Sequence, residues 1–210
     1  MEIANEALRA AYDQDAARRD GGEPEPWRLA IVDRFLARID EAPPQLPVLE
    51  LGCGTGQLAH YLADRRTDVV GLDLSLEMIR RTRARGVTAL VADFLRLPFA
   101  DASFAAALAF NSFLHVPARD RPALFGEVAR VLADDGVLTV VTWGGVTREG
   151  PLEDDWLEPP RFFATFDDDD LLEQPTPGFV TDSVVLLPDH ASHGVHPQAV
   201  TYRRTRGADT

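Results

Sequence analysis

Three glycines fall within five residues at Gly52-Cys53-Gly54-Thr55-Gly56, directly after the apolar run Val48-Leu49-Glu50-Leu51 and before a helical pattern. Glycines at such a junction permit positive φ and let a ligand approach the backbone closely. The free N–H groups at the helix start favour anionic or carboxylate groups. About 20 residues on, Asp73 ends a second apolar run, where a carboxylate can accept both hydroxyls of a ribose. Asp93 and Phe94 follow a third run, and Asn111 and His115 a fourth. Histidine there has a pKa suited to proton transfer near neutrality. Taken alone, the loop suits a dinucleotide, a mononucleotide or S-adenosylmethionine. It lacks the last glycine of Gly-x-Gly-x-x-Gly, because Leu58 and Ala59 fall there. It also lacks the Gly-Lys-Ser/Thr ending of a phosphate-binding loop.

These residues need elements that hold them at one edge. Val48 to Leu51, Val69 to Leu72, Val87 to Ala92, Phe104 to Phe110 and Val137 to Trp143 read as five strands. Phe104 to Phe110 is apolar at nearly every position, as a strand buried on both faces should be. Helical spacing fills the intervals at 56–65, 75–85 and 120–132, with Ser75 suited to cap the second helix. Such alternation predicts a parallel sheet with right-handed crossovers. Two helices precede it, at 2–19 and 27–39, the second stopped by Ala42-Pro43-Pro44. Residues 145–160 read as a polar loop or lid, 161–166 as a short strand, and Asp167 or Asp168 as the cap of a helix to Gln174. The runs 179–187 and 199–204 are joined by too short a link for a helical crossover and should pair antiparallel. Asp134-Asp135-Gly136 reads as a turn, and residues 207–210 as a frayed tail.

With those motifs in order, the sequence resembles the class I S-adenosylmethionine-dependent methyltransferases, in their small-molecule branch. Val48 to Gly56 looks like that family's first motif, and its ribose-binding acid falls on Asp73 in Val70-Gly71-Leu72-Asp73-Leu74-Ser75. Val91-Ala92-Asp93-Phe94 resembles the adenine-binding turn, Phe110 to His115 the end of the fourth strand, and Glu127 to Leu138 the approach to the fifth. The resemblance implies a Rossmann-like α/β fold: a seven-stranded, mostly parallel sheet with a C-terminal antiparallel pair and helices on both faces. It implies one domain, with a helical cap over 1–42, a cofactor-binding core over 46–143, and a lid and last strands over 145–205. It implies S-adenosyl-L-methionine as cofactor, S-adenosyl-L-homocysteine as product, and a small organic methyl acceptor. Cofactor contacts then fall on Glu50, Gly52, Cys53, Gly54, Gly56, Asp73, Leu74, Met78, Asp93, Phe94 and Asn111.

Methyl transfer is an in-line displacement, so the enzyme mainly aligns the nucleophile and excludes water. An oxygen or nitrogen acceptor can also need a base. His115 is the leading catalytic candidate and Tyr12, on the first helix, the second. Trp27, Trp143 and Trp156 are either core or lining of an acceptor pocket. His190, His193 and His196 sit in a connection without ligand-like spacing, so a solvated loop is expected and no metal. A lyase or cyclase step on the same cofactor, or a non-catalytic binding module, would use the same loop.

Composition bounds the rest. The chain has 210 residues, one cysteine, no lysine and a net charge of -13. One cysteine excludes an internal disulfide and any multi-cysteine metal site. An acidic field repels phosphate backbones, so nucleic acid is not an expected partner. No apolar run approaches the roughly 20 residues that span a bilayer, and the acidic start lacks a signal-peptide pattern. A cytoplasmic monomer or homodimer is expected.

Overall fold

The computed structural model describes residues 2–39, 46–65, 68–190 and 194–206. The Ala42-Pro43-Pro44 stop, His193 and the 207–210 tail lie outside them. Two helices lead, α1 (Glu2–Arg19) and α2 (Pro26–Ile39). Then come β1 (Val48–Leu51), α3 (Gln57–Ala63), β2 (Val69–Asp73), α4 (Leu76–Ala84), β3 (Thr88–Val91) and β4 (Phe104–Phe110). The chain continues through α5 (Arg121–Val131), β5 (Leu132–Gly144), β6 (Arg148–Pro151), β7 (Phe162–Thr165), α6 (Asp168–Glu173), β8 (Phe179–Leu186) and β9 (His196–Arg204).

The seven-stranded sheet runs β3-β2-β1-β4-β5-β9-β8. Its first five strands are parallel, with Leu51 in register with both Leu72 and Ala109. Strand β9 pairs antiparallel with β5 and with β8. Strand order reverses between β1 and β4, and beyond the carboxyl ends of such a pair an open α/β sheet leaves a crevice. Side chains alternate across the sheet. Val48, Ala106 and Leu108 pack with Phe35 and Ile39 of α2 and Leu62 of α3. Leu49, Leu51, Ala107 and Ala109 pack with Leu124 and Val128 of α5. A strand of mostly small side chains such as β4 lets helices approach from both faces.

Local chemistry sets the helix starts. The Ser75 hydroxyl caps α4 by accepting from the Met78 N–H at 3.1 Å, as its position predicts. Asp167 caps α6 by accepting from the Asp169 and Asp170 N–H groups. Helix α1 crosses the mouth of the crevice and is tied down at several points. Asp13 accepts from the Ser75 hydroxyl (2.5 Å) and the Glu77 N–H (3.1 Å), while Asp20 pairs with Arg81 and Arg85.

Three details differ from the sequence reading. The turn at Asp134-Asp135-Gly136 is a bulge inside β5: Phe104 pairs with Leu132 and Ala106 with Val137, and Asp135 takes φ 61°. The 145–160 segment, read as a polar loop or lid, is not all loop, because β6 pairs antiparallel with β7 to make a two-stranded sheet. His196 is not in a solvated loop; it opens β9, and its Nε2 lies 3.0 Å from Asp168. His190 stacks on Trp27, which also contacts Phe110 and Trp143.

Candidate active site

A cavity of about 280 Å³ opens above the β1 and β4 carboxyl ends. The glycine-rich loop forms its floor. Gly52 (φ 76°) lies against Ser112, and a Cβ there would come 2.3 Å from the Ser112 Cβ. A Cβ on Gly56 (φ 82°) would come 2.8 Å from the Thr82 Cα. The loop is pinned from β2, for Asp73 Oδ2 accepts from the Gly54 N–H and Oδ1 from the Ser75 N–H, both at 2.9 Å. Burial raises the Asp73 pKa, against the pull of these backbone donors. Beneath the loop, Ser112 donates to the Leu51 carbonyl at 2.7 Å. Burial also pushes the Cys53 thiol up, keeping it protonated.

Glu50, Gly52, Cys53, Gly54, Asp73, Leu74, Met78, Asp93, Phe94, Asn111, His115 and Tyr12 all line this one cavity. Gly56 stands just behind, as the left-handed cap of α3. Glu50 is 2% exposed and its Oε2 is buried without a hydrogen-bond partner. Burial raises its carboxyl to about 8. Asn111 takes φ 54°, a left-handed conformation that asparagine tolerates better than most residues and that clusters at functional sites. Asp93 accepts from the Leu95 N–H on Oδ1 and from the Asn5 side-chain amide on Oδ2, at 2.6 Å. Trp27, Trp143 and Trp156 are not among the lining residues.

At the far end, Tyr12 and His115 meet. The Tyr12 hydroxyl lies 2.5 Å from His115 Nε2, and His115 Nδ1 lies 2.8 Å from the Phe162 carbonyl of β7. A carbonyl only accepts, so Nδ1 carries the proton and Nε2 accepts from Tyr12. Burial holds His115 down at about 4, and the positive fields of Arg161 and Arg19 add to this. The imidazole is therefore neutral at pH 7, and its basic nitrogen is engaged by the phenol. Arg161 of the lid sits 3.5 Å from the same hydroxyl and forms a buried ion pair with Asp155 at 2.8 Å.

Nitrogen-15 NMR of His115 should show the neutral Nδ1–H tautomer from pH 8 down to about 5. An imidazolium signal at pH 6.5 would contradict the geometry. Because its folded pKa lies below the unfolded value, His115 contributes a loss of stability as pH falls from about 6.5 toward 4.

Asn5, Arg28 and Arg161 were not expected at the site. Asn5 and Arg28 lie on helices that precede the loop, and Arg161 on the lid. No spacing marks any of them, since only the chain's path brings Asn5 and Arg28 to the cavity and Arg161 to Tyr12. Among the described residues no group of three or more His, Cys, Asp or Glu is arranged to hold a metal ion. No helix is long and apolar enough to cross a membrane.

A doubly wound sheet with a glycine loop, and acids at successive strand ends around one crevice, defines a nucleoside-cofactor domain. Residues 48–136 match the methyltransferase domain family. The chain carries a class I S-adenosylmethionine-dependent methyltransferase domain. It is 33% identical over 169 residues to the methyltransferase GfsG of Streptomyces halstedii, covering 72% of this chain and 58% of that one. The chain spans little more than half the length of curated relatives that it matches. The fold matches an S-adenosylmethionine-dependent methyltransferase of Methanosarcina mazei (TM-score 0.70, 18% identity, covering 88% of this chain and 99% of that one). It also matches the [4+2]-cyclase SpnF (TM-score 0.63, 20% identity, covering 83% and 82%).

Proposed function

We propose that this protein transfers the methyl group of S-adenosylmethionine to an oxygen or nitrogen of a small organic acceptor, acting as one domain. The observation that carries the reading is the single cavity, with the glycine loop, Asp73 and Asp93 at one end and the Tyr12–His115 pair at the other. The residues present fit the cofactor. A buried, unpartnered Glu50 oxygen suits a cationic group, and the loop leaves space that a Cβ at Gly52 would close.

Bound S-adenosylmethionine would supply an electrophilic methyl carbon on a sulfonium. Glu50 would hold its amino group, Asp73 the ribose hydroxyls, and Asp93 with the Phe94 N–H the adenine edge. Leu74 and Met78 would offer apolar surface to the adenine, and the backbone of Gly52, Cys53, Gly54 and Gly56 would hold the rest of the cofactor. Asn111 borders the transfer point. Tyr12 takes the acceptor's proton as its own passes to His115 Nε2, a short relay within the observed hydrogen bond. Helix α1 and the β6–β7 lid exclude water.

The engaged, weakly basic His115 also favours a second reading, in which the cofactor site serves a lyase or cyclase step needing no strong base. Incubation with S-adenosylmethionine and a panel of small hydroxyl and amine compounds separates the two. S-adenosylhomocysteine formed one-for-one with methylated product supports transfer; turnover without it supports the second reading. Asp73→Asn should weaken S-adenosylhomocysteine binding at least tenfold, about the loss of one charged hydrogen bond. Unchanged affinity in calorimetry would remove the ribose assignment.

A further inference from the structure

The Tyr12–His115 pair is gripped at both ends by two successive residues. The Phe162 carbonyl lies 2.8 Å from His115 Nδ1, and the Arg161 side chain brings Nη1 to 3.5 Å from the Tyr12 hydroxyl. Arg161 is itself fixed. Its backbone N–H and Nε donate to Asp155 Oδ2 at 2.8 Å, and its Nη2 donates to Oδ1 at 2.9 Å. Only 3% of the Arg161 side chain is exposed, and none of Asp155. The Trp156, Phe163 and Tyr12 ring centres lie 4.6, 5.4 and 5.5 Å from the guanidinium carbon.

The Tyr12 hydroxyl has one proton to give. Arg161 carries donors alone and His115 Nε2 is an acceptor, so a guanidinium at the oxygen turns the O–H toward the imidazole. Its charge acts in the same sense. Asp155 neutralises one edge of the guanidinium while Nη1 faces the phenol, so the oxygen meets the positive end of the ion pair. Away from water such a field is weakly screened. When the proton passes from the Tyr12 oxygen to Nε2, negative charge collects on the atom beside Arg161, and positive charge on the ring one step further off. Burial raises the Tyr12 phenol, the fields of Arg19 and Arg161 pull it back, and Asp73 raises it again. Facing His115 are Arg161, Arg19 and Asp155. Arg19 is paired with Asp15 at 2.7 Å and stands over the Tyr12 ring, 4.9 Å from its centre. Arg161 is the cation that reaches the hydroxyl.

We infer that Arg161 is a positioning residue for the Tyr12–His115 pair: held by Asp155, it aims the phenol proton at His115 and stabilises the charge left on the phenol oxygen. The inference rests on the proton relay proposed above and adds to it a residue 149 positions from Tyr12. It makes the relay conditional on the 155–162 segment lying against α1.

Fluorine-19 NMR of the ligand-free protein carrying 3-fluorotyrosine at its three tyrosines, Tyr12, Tyr61 and Tyr202, tests this. Tyr12→Phe identifies the Tyr12 signal. The double variant Asp155→Asn/Arg161→Met removes both charges, so no buried carboxylate is left unpaired. In it the Tyr12 midpoint should rise by about one pH unit, the low end of the range for losing a neighbouring opposite charge. Tyr61 and Tyr202 should titrate as in wild type, which shows that the fold is kept. Arg161→Lys keeps the charge without the fork, so its midpoint should fall between the two proteins. An unchanged Tyr12 midpoint in the double variant would overturn the inference and leave Arg161 a packing residue. If Tyr202 moved as well, Arg161→Lys decides: a midpoint below that of the double variant supports the inference, and one equal to it overturns it. The relay fails separately, if Tyr12→Phe forms S-adenosylhomocysteine with an acceptor of the panel as fast as wild type, and the role of Arg161 then falls with it.

Discussion

Gly52→Ala is expected to lower the melting midpoint by about 5–15 °C and to remove cofactor binding, whereas Gly54→Ala should cost only a few degrees. Both positions carry positive φ, at 76° and 55°, and left-handed alanine costs about 1–2 kcal/mol at either. They differ in what surrounds them. A Cβ on Gly52 meets the Ser112 Cβ at 2.3 Å and the Phe94 ring at 3.3 Å. Ser112 has little freedom to retreat, because its hydroxyl is bonded to the Leu51 carbonyl. Overpacking of this kind adds about 1–3 kcal/mol. A Cβ on Gly54 meets nothing within 4 Å. In a chain of this length 1 kcal/mol moves the midpoint by about 2–4 °C. Thermal melts of the two variants decide the matter, and equal losses would show that φ alone matters here.

The second large effect has opposite signs for stability and for binding. Glu50→Gln should stabilise the ligand-free protein at pH 7 by an amount on the order of 2–3 kcal/mol while weakening S-adenosylhomocysteine about 10- to 100-fold. The carboxyl of Glu50 is raised from 4.5 to about 8 by burial. Raised above its unfolded value, it destabilises the fold progressively as pH climbs from about 4.5 to 8. Glutamine has nearly the same shape and no proton to lose, so the difference between the two proteins should shrink toward pH 4. Ligand binding recovers what folding loses. An ammonium beside Glu50 favours the carboxylate, so wild-type binding should release close to one proton at pH 7. Affinity should then rise up to about tenfold per pH unit between 6 and 7.5. Calorimetry in buffers of different ionisation enthalpy counts that proton directly. A Gln variant less stable than wild type at pH 7, or binding without proton release, would contradict the account.

Much of the floor of the site was legible along the chain because neighbours in sequence build it. Each strand ends at the same edge, so Gly52 to Gly56, Asp73, Asp93 and Asn111 converge once the strand–helix alternation is recognised. Ser75 could be assigned as the cap of α4 because capping acts over three residues. The lid hairpin was less visible. Arg148-Glu149-Gly150-Pro151 has no alternating apolar pattern, and its strand character comes from its partner β7.

What the sequence by itself determined is the floor of the cavity: a glycine loop and carboxylates whose places follow from local periodicity and strand direction. Tertiary structure alone decided the roof and its charge states. Tyr12 meets His115 across 103 residues, Asn5 meets Asp93 across 88, and the Phe162 carbonyl sets the His115 tautomer across 47. Residue type marked Tyr12 and His115 as groups able to carry protons. Their mutual hydrogen bond, and the burial that makes His115 a weak base and Glu50 a weak acid, depend on which helices close over the crevice. Desolvation is a property of everything packed around a group, so no pattern of near neighbours in sequence records it.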